Sequence, residues 1–253
     1  MTAPLFLLDG IDPDATSVTL TGREGHHAAD VRRLRVGEHV EVTDGHGLRL
    51  GCRVRVVARS QVDLSVTSRR VDPQPCPRLE VAQALIKPDA AERALAGMTE
   101  VGVDAVWPWA AQRSIVTWHG DRVERGVRRW RSTLAEAAKQ SRRSRLPVVA
   151  DPVSTQQLAA RVRDVDVALL LDGEADEPLA GVDVPREGTL LVIVGPEGGQ
   201  TPAESDVLVS AGARRVHLGP TVLRSATAGT AAAAVLLSGT PRWMTRHEAV
   251  GAD

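Results

Sequence analysis

Leu190-Leu191-Val192-Ile193-Val194 is a run of five apolar residues that leads without a break into Gly195-Pro196-Glu197-Gly198-Gly199. No polar residue alternates with the apolar ones. The segment therefore suits a strand covered on both faces, as in a parallel sheet packed between helices. Ligands in such sheets sit beyond the carboxyl ends of the strands, so a site is expected at this junction. The glycines after Glu197 let the backbone approach a ligand and adopt positive φ, while Pro196 stiffens the approach. A helix follows, with Thr201 as N-cap, Pro202 at its first position and Glu204 completing a capping box. A second loop repeats the plan. Arg214 to Leu218 reads as a short strand ending at Gly219-Pro220, and Thr221 to Arg224 leads into an alanine-rich helix from Ser225 through Leu237.

The chain before this region changes its period once. From Arg35 to Arg70 apolar residues recur at every second position, at Val40 and Val42, then Leu48 to Val56, then Val62, Leu64 and Val66. Turns fall at Asp44-Gly45 with Gly47 and at Arg59-Ser60, which predicts short antiparallel strands in a small barrel or sandwich. Gly25 to Leu34, just before them, reads as a short helix carrying Arg32 and Arg33. Val71 to Arg78 holds three prolines in alternate positions and cannot be an interior strand, so the domain boundary is placed there, giving domains 1–72 and 73–246. Strand and helix then alternate. Leu79 to Ile86 is a strand, Ala90 to Val101 a helix stopped at Gly102, and Val103 to Trp107 a strand ended by Pro108. A long helix from Val123 to Gln140 carries Val127, Trp130, Leu134, Ala137 and Ala138 at helical spacing, Ser154 caps another helix, and Val165 to Leu171 is a further strand. This alternation predicts an α/β domain with a mainly parallel sheet.

With 253 residues, 43% of them hydrophobic, the chain can bury an ordinary core. Met1 to Gly10 has no basic leader pattern and no apolar run is long enough to span a bilayer, so no membrane and a cytoplasmic location are expected. Cys52 and Cys76 offer neither a disulfide framework nor metal-ligand spacing, and His26-His27 suit surface or packing roles, so no metal is expected. The formal net charge of -1 gives no bulk attraction for nucleic acid. Its distribution does. Between Asp121 and Arg145 nine basic residues stand against Asp121, Glu124 and Glu136. This region is read as a phosphate-binding surface whose end, Gln140 to Arg145, leaves the helix as a mobile basic loop. The absence of tyrosine and the single phenylalanine argue against an aromatic platform for single-stranded RNA.

Gly195 to Gly199 lacks both the dinucleotide fingerprint and the P-loop lysine, and alone it fits a structural turn or a generic anion site. More specific marks are His26 to Gly37, Lys87 with Glu100-Val101-Gly102, Glu136 to Arg143, Leu191 to Gly199, and Leu218 to Arg224. In this order and spacing they resemble the RsmE family of 16S ribosomal RNA methyltransferases, in the SPOUT superfamily. The resemblance covers nearly the whole chain. It implies a PUA-like RNA-binding β-barrel domain, a trefoil-knotted α/β methyltransferase domain, and a homodimer acting on the small (30S) ribosomal subunit. The implied reaction is methylation of N3 of a uridine in 16S rRNA by S-adenosylmethionine.

By the same resemblance the cofactor lies among Leu171, Gly195, Pro196, Glu197, Gly198, Gly199, Leu218, Gly219, Leu223, Ser225 and Thr227. Arg224 is the implied catalytic residue, and Arg32, Arg33, Lys87, Arg142, Arg143 and Arg145 are the implied RNA contacts. Two departures stand out. Ala226 occupies the place where many members carry a glutamate, and Met1 to Phe6 has no basic residue. Glu197 is a candidate substitute for the missing carboxylate, or equally an acceptor of main-chain hydrogen bonds. Ala226 keeps open a non-catalytic ribosome-assembly factor on the same fold, and the Gly198-Gly199 helix start keeps open an enzyme that binds a nucleotide phosphate.

Overall fold

The computed structural model describes residues 3–244. Residues 1–2 and 245–246, included in the expected domains, lie outside the described residues. Two compact units are present. Among the described residues the first comprises the chain up to Gln74 together with Ala138–Leu146, and the second Pro75–Ala137 with Pro147–Met244.

The first unit contains β1 (Leu5–Leu7), β2 (Ser17–Leu20), α1 (Gly22–His26), β3 (His39–Thr43), β4 (Leu48–Ala58) and β5 (Gln61–Val71). Its sheet runs β1-β3-β4-β5-β2, with β1 parallel to β3 and every other pairing antiparallel. The alternating residues behave as their period requires. Val40, Val42, Leu50, Cys52, Val54, Val62 and Leu64 are buried together with Phe6 and Leu20. Register shifts at Gly51/Cys52 and Val54/Val56 bend the long β4–β5 ribbon. The expected helix over 25–34 begins and ends earlier, over 22–31. After α1 the chain widens into an i→i+5 turn, Arg32 N–H donating to His27 O at 2.8 Å, and Arg33 takes a left-handed φ of 54°. His26 bonds Asp30 at 2.8 Å and His27 sets its ring edge against Phe6, so both serve local packing.

The expectation of a mobile loop over 140–145 is corrected. Ser144 is 3% exposed, and its carbonyl accepts from Thr43 Oγ1 at 3.0 Å and from Gly47 N–H at 3.0 Å. Its hydroxyl donates to Asp72, and Arg49, itself 3% exposed, donates to Arg142 O at 2.8 Å while pairing with Glu41 and Asp72. A basic stretch looks solvated when its charges are counted alone. Here the partners come from strands far away in the chain.

The second unit contains β6 (Arg78–Ala84), α2 (Pro88–Val101), β7 (Ala105–Trp109), α3 (Asp121–Gln140), β8 (Val148–Val149), α4 (Thr155–Arg163), β9 (Val167–Leu171), β10 (Thr189–Val194), α5 (Pro202–Ser210), β11 (Arg214–Val216), α6 (Ser225–Ser238) and α7 (Pro241–Met244). The last residues of α3 group with the first unit. Six strands form one wholly parallel sheet in the order β11-β9-β10-β6-β7-β8. The apolar run is covered on both faces as its composition demands. Leu190, Val192 and Val194 join a core with α2, α3 and α6, while Leu191 and Ile193 join a second core with α4 and α5. Pro108 does not end its strand. Val106 and Pro108 turn their carbonyls to the β8 side, accepting from Ala150 and Val153, so the proline's missing N–H faces a strand that has already stopped at Val149.

Candidate active site

Because the sheet is parallel, the loops after β9, β10 and β11 leave from one edge, and these strands are immediate neighbours. The structure thereby brings together the eleven residues expected to hold the cofactor. Leu171 closes β9, Gly195 to Gly199 follow β10, Leu218 and Gly219 follow β11, and Leu223 precedes the first turn of α6, which holds Ser225 and Thr227. Leu171, Leu218 and Leu223 are partly buried against the main core. Gly199 N–H closes a turn onto Pro196 O at 2.9 Å with φ of 67°, and Gly219 adopts φ of 135°, both in the region that glycine alone enters freely. The N–H groups of Glu197, Gly198, Val222 and Leu223 donate to no group among the described residues. Partly buried leucine walls beside unbonded amides suit a ligand with an apolar ring and polar edges.

The loop after β10 is held from several sides. Ser225 Oγ donates to Gly195 O at 2.6 Å and accepts from Gln83 Nε2 at 3.0 Å. Gln83, at the end of β6, is fully buried, and its Oε1 has no hydrogen-bond partner among the described residues. Arg113 Nη1 donates to Gly198 O at 3.0 Å. The capping box forms as expected, with Thr201 Oγ1 accepting from Glu204 N–H at 3.2 Å and the Glu204 carboxylate accepting from Thr201 N–H at 2.9 Å. Arg113 and Gln83 were both missed from the sequence. A lone arginine among thirty-one basic residues carries no local signal, and a glutamine in an apolar strand shows its role only once α6 lies beside it.

Arg224 is the N-cap residue of α6, and its carbonyl accepts from Thr227 and Ala228. The guanidinium is exposed and makes no hydrogen bond or ion pair among the described residues, so it does not cap the loop. Ala226 packs against the main core. Glu197 is exposed, and its carboxylate accepts no main-chain hydrogen bond among the described residues, which removes the structural alternative considered for it.

The expected RNA contacts divide. Arg32 and Arg33 are exposed on the turn after α1, and Lys87 is exposed at the N-cap of α2. Arg142 is half-buried at φ of 58°, and Arg143 is half-buried beside it, its N–H donating to Ala138 O. Arg145 is committed elsewhere: its guanidinium holds Asp72 O at 2.7 Å and Pro73 O at 3.0 Å, so its charge serves the chain's own backbone.

Comparison with known proteins agrees with this arrangement. The RNA methyltransferase domain family matches residues 72–237, and the RNA methyltransferase PUA domain family matches residues 20–67. Ribosomal RNA small subunit methyltransferase E of Mycobacterium bovis is 40% identical over 96% of this chain and 94% of its own length. The Bacillus subtilis protein of the same name is 31% identical, covering 85% and 87%. A crystal structure of ribosomal RNA small subunit methyltransferase E from Neisseria gonorrhoeae, bound to S-adenosyl methionine, superimposes with a TM-score of 0.83 at 24% identity, covering 93% of this chain and 97% of that one. Parallel strands with glycine loops at one edge, a PUA-type sheet unit and near full-length similarity converge: the chain belongs to the ribosomal RNA small subunit methyltransferase E family.

Proposed function

We propose that this chain methylates N3 of a uridine in 16S ribosomal RNA with S-adenosylmethionine as donor. The observation that carries the reading is the group of unbonded amides at Glu197, Gly198, Val222 and Leu223 beside Leu171, Leu218 and Leu223. Such a surface fits the cofactor: leucines wall a purine ring, and free N–H groups meet its polar edges. When bound, the cofactor supplies a sulfonium methyl group, which the N3 nitrogen takes up as the carbon–sulfur bond breaks towards sulfur. Ser225, clamped between Gln83 and Gly195 O, keeps the loop open at a fixed spacing. Arg224 holds the uracil or a neighbouring phosphate and stabilises the negative charge left when N3 loses its proton. Glu197, a carboxylate of the site loop with no partner among the described residues, accepts that proton. These features also weigh against the non-catalytic rival, because a retired site has no need of unbonded donors beside an unpaired arginine.

The remaining parts of the reading follow the family. Residues 1–72 serve as a PUA-like RNA-binding domain and 73–246 as the methyltransferase. Insertion of β10 between β9 and β6 suits a trefoil path, and exposed Val235, Trp243 and Met244 suit a homodimer contact. Among the described residues no helix is long and apolar enough to cross a membrane, consistent with action on the small ribosomal subunit in the cytoplasm. Arg224→Ala decides the central assignment. Methylation of 16S rRNA is expected to be lost while calorimetric affinity for S-adenosylmethionine stays near that of the parent; a matching loss of cofactor affinity would reassign Arg224 to cofactor binding.

A further inference from the structure

We infer that a cleft beside the proposed methyl-transfer site, between α2, α3 and the loop after β7, is a subsite for one unpaired base of the substrate RNA, stacked on Trp118 with its phosphate held by Arg122 and Arg125. The inference rests on the RNA-methylating reading above and names a contact that reading does not contain.

The cleft has a volume of about 290 Å³, at the small end for a ligand pocket. Its walls are Ile86, Pro88, Ala91, Val116 and the indoles of Trp118 and Trp130, which meet edge to face at 5.3 Å. Trp130 is buried, whereas Trp118 is only partly covered. The indole of Trp118 lies directly against the α3 backbone: a Cβ on Gly126 would come within 2.5 Å of its ring. A glycine inside a helix costs about 1 kcal/mol relative to alanine. Here it makes room for that ring.

The rim is cationic. Arg128 pairs with Glu124, and Arg129 pairs with Glu92 at 2.7 Å, which neutralises the carboxylate lining the cleft. Arg122 and Arg125 line it as well, are exposed, and have no partner among the described residues. The absence of tyrosine and the single phenylalanine argue against an extended aromatic platform. One indole beside two guanidinium groups without partners among the described residues nevertheless complements one base and its phosphate, and base–aromatic stacking is worth about 1–3 kcal/mol. Position supports the same occupant. Ile86 and Pro88 follow β6, and Val116 to Trp118 follow β7, so the cleft opens from the sheet edge that carries the glycine loops. Arg113, in that same loop after β7, is bonded to Gly198 O, tying the Trp118 loop to the proposed methyl-transfer site.

The test uses the full chain, a single-stranded RNA hexanucleotide and a short RNA duplex as probes, and tryptophan fluorescence as readout. The hexanucleotide is expected to quench the parent and the duplex is not. Trp118→Ala is expected to lose the quench and bind the hexanucleotide about tenfold more weakly. Trp118→Phe retains most of the affinity. Arg122→Gln with Arg125→Gln is expected to flatten the salt dependence by about 0.7 slope units, the share of the one phosphate they hold on a single strand. Unchanged affinity in Trp118→Ala, equal quenching by the duplex, or an unaltered salt slope overturns the subsite. So does conversion of a dimer to monomers by Trp118→Ala in sedimentation, which would give the cleft to a second copy of the chain. Methylation of 16S rRNA by the parent is measured alongside. Activity in the parent with none of the expected changes sinks the subsite alone, and an inactive parent sinks the reading beneath it.

Discussion

Glu204 is 6% exposed, yet it accepts from Thr201 N–H at 2.9 Å, Gln112 N–H at 2.8 Å and Thr155 Oγ1 at 3.0 Å. Burial, the largest single influence, would raise its pKa. The hydrogen bonds from the Thr201 and Gln112 amides and from the Thr155 and Thr201 hydroxyls together outweigh it and hold the carboxyl below its ordinary value. A depressed carboxylate stabilises the folded chain above its unfolded value of about 4.3 and loses that contribution as pH falls through the folded value. Glu204→Gln is therefore expected to be less stable than the parent at neutral pH, and the gap in urea midpoints should narrow in acid. A gap independent of pH would mean that charge is irrelevant there. Glu204→Ala, which also removes the capping box, is expected to cost about 2–3 kcal/mol in urea denaturation. Glu197→Gln tests a different role. Since its carboxylate holds no partner among the described residues, the change should leave stability intact, while the methylation rate falls and the pH–rate profile loses its acid limb; an unchanged profile would give the N3 proton to solvent.

At the level of elements, the segment after α3 is tied down by one buried arginine. Arg49 serves Glu41, Asp72 and the Arg142 carbonyl at once. Burial would raise the Asp72 carboxyl, but the Ser144 hydroxyl and the Arg49 and Arg70 guanidinium groups together keep it below its ordinary range. Arg49→Met leaves Glu41 without its cation and Asp72 with Arg70 and Ser144 alone, and a loss of about 3 kcal/mol is expected by chemical denaturation. Ser144→Ala removes a single donor and should cost about 1 kcal/mol. Arginines whose guanidinium groups have no partner among the described residues, exposed Arg32 and Arg33 and half-buried Arg142, act differently. Arg32, Arg33 and Arg142 changed together to Gln should leave stability intact and flatten the salt dependence of RNA binding by about one slope unit for each phosphate no longer neutralised. Arg145→Gln is the contrasting case, expected to destabilise the segment through Asp72 and Pro73. Proline in β7 belongs to this scale as well: Pro108 reads as a stop because a proline gives up a ladder bond. The length of the neighbouring strand decides whether that bond was needed.

For the whole molecule, sedimentation of the full chain is expected to give a dimer, and Val235→Glu on the exposed side of α6 should weaken it; a monomeric parent would refute the homodimer. Much of the architecture was legible in the chain because its causes are local. Alternation at Val40 to Val66 is the two-residue period of a half-covered strand, and the unbroken run at Leu190 to Val194 is the mark of a strand covered twice. The Thr201–Glu204 and Ser154–Gln157 caps each close within four residues. The candidate cofactor loops were legible for the same reason, as glycine junctions after strands. What the sequence left open depends on partners distant along the chain. Arg49 meets Arg142 across 93 positions, Ser144 meets Asp72 across 72, and Gln83 meets Ser225 across 142. Trp118 finds its seat on Gly126 only when the loop after β7 folds back on α3. Sequence determined which segments are strands, helices and glycine turns, because those preferences are set within a few residues. Tertiary structure decided which arginines are committed to carbonyls and which stay free for a ligand, because a hydrogen bond's partner is chosen by proximity in space.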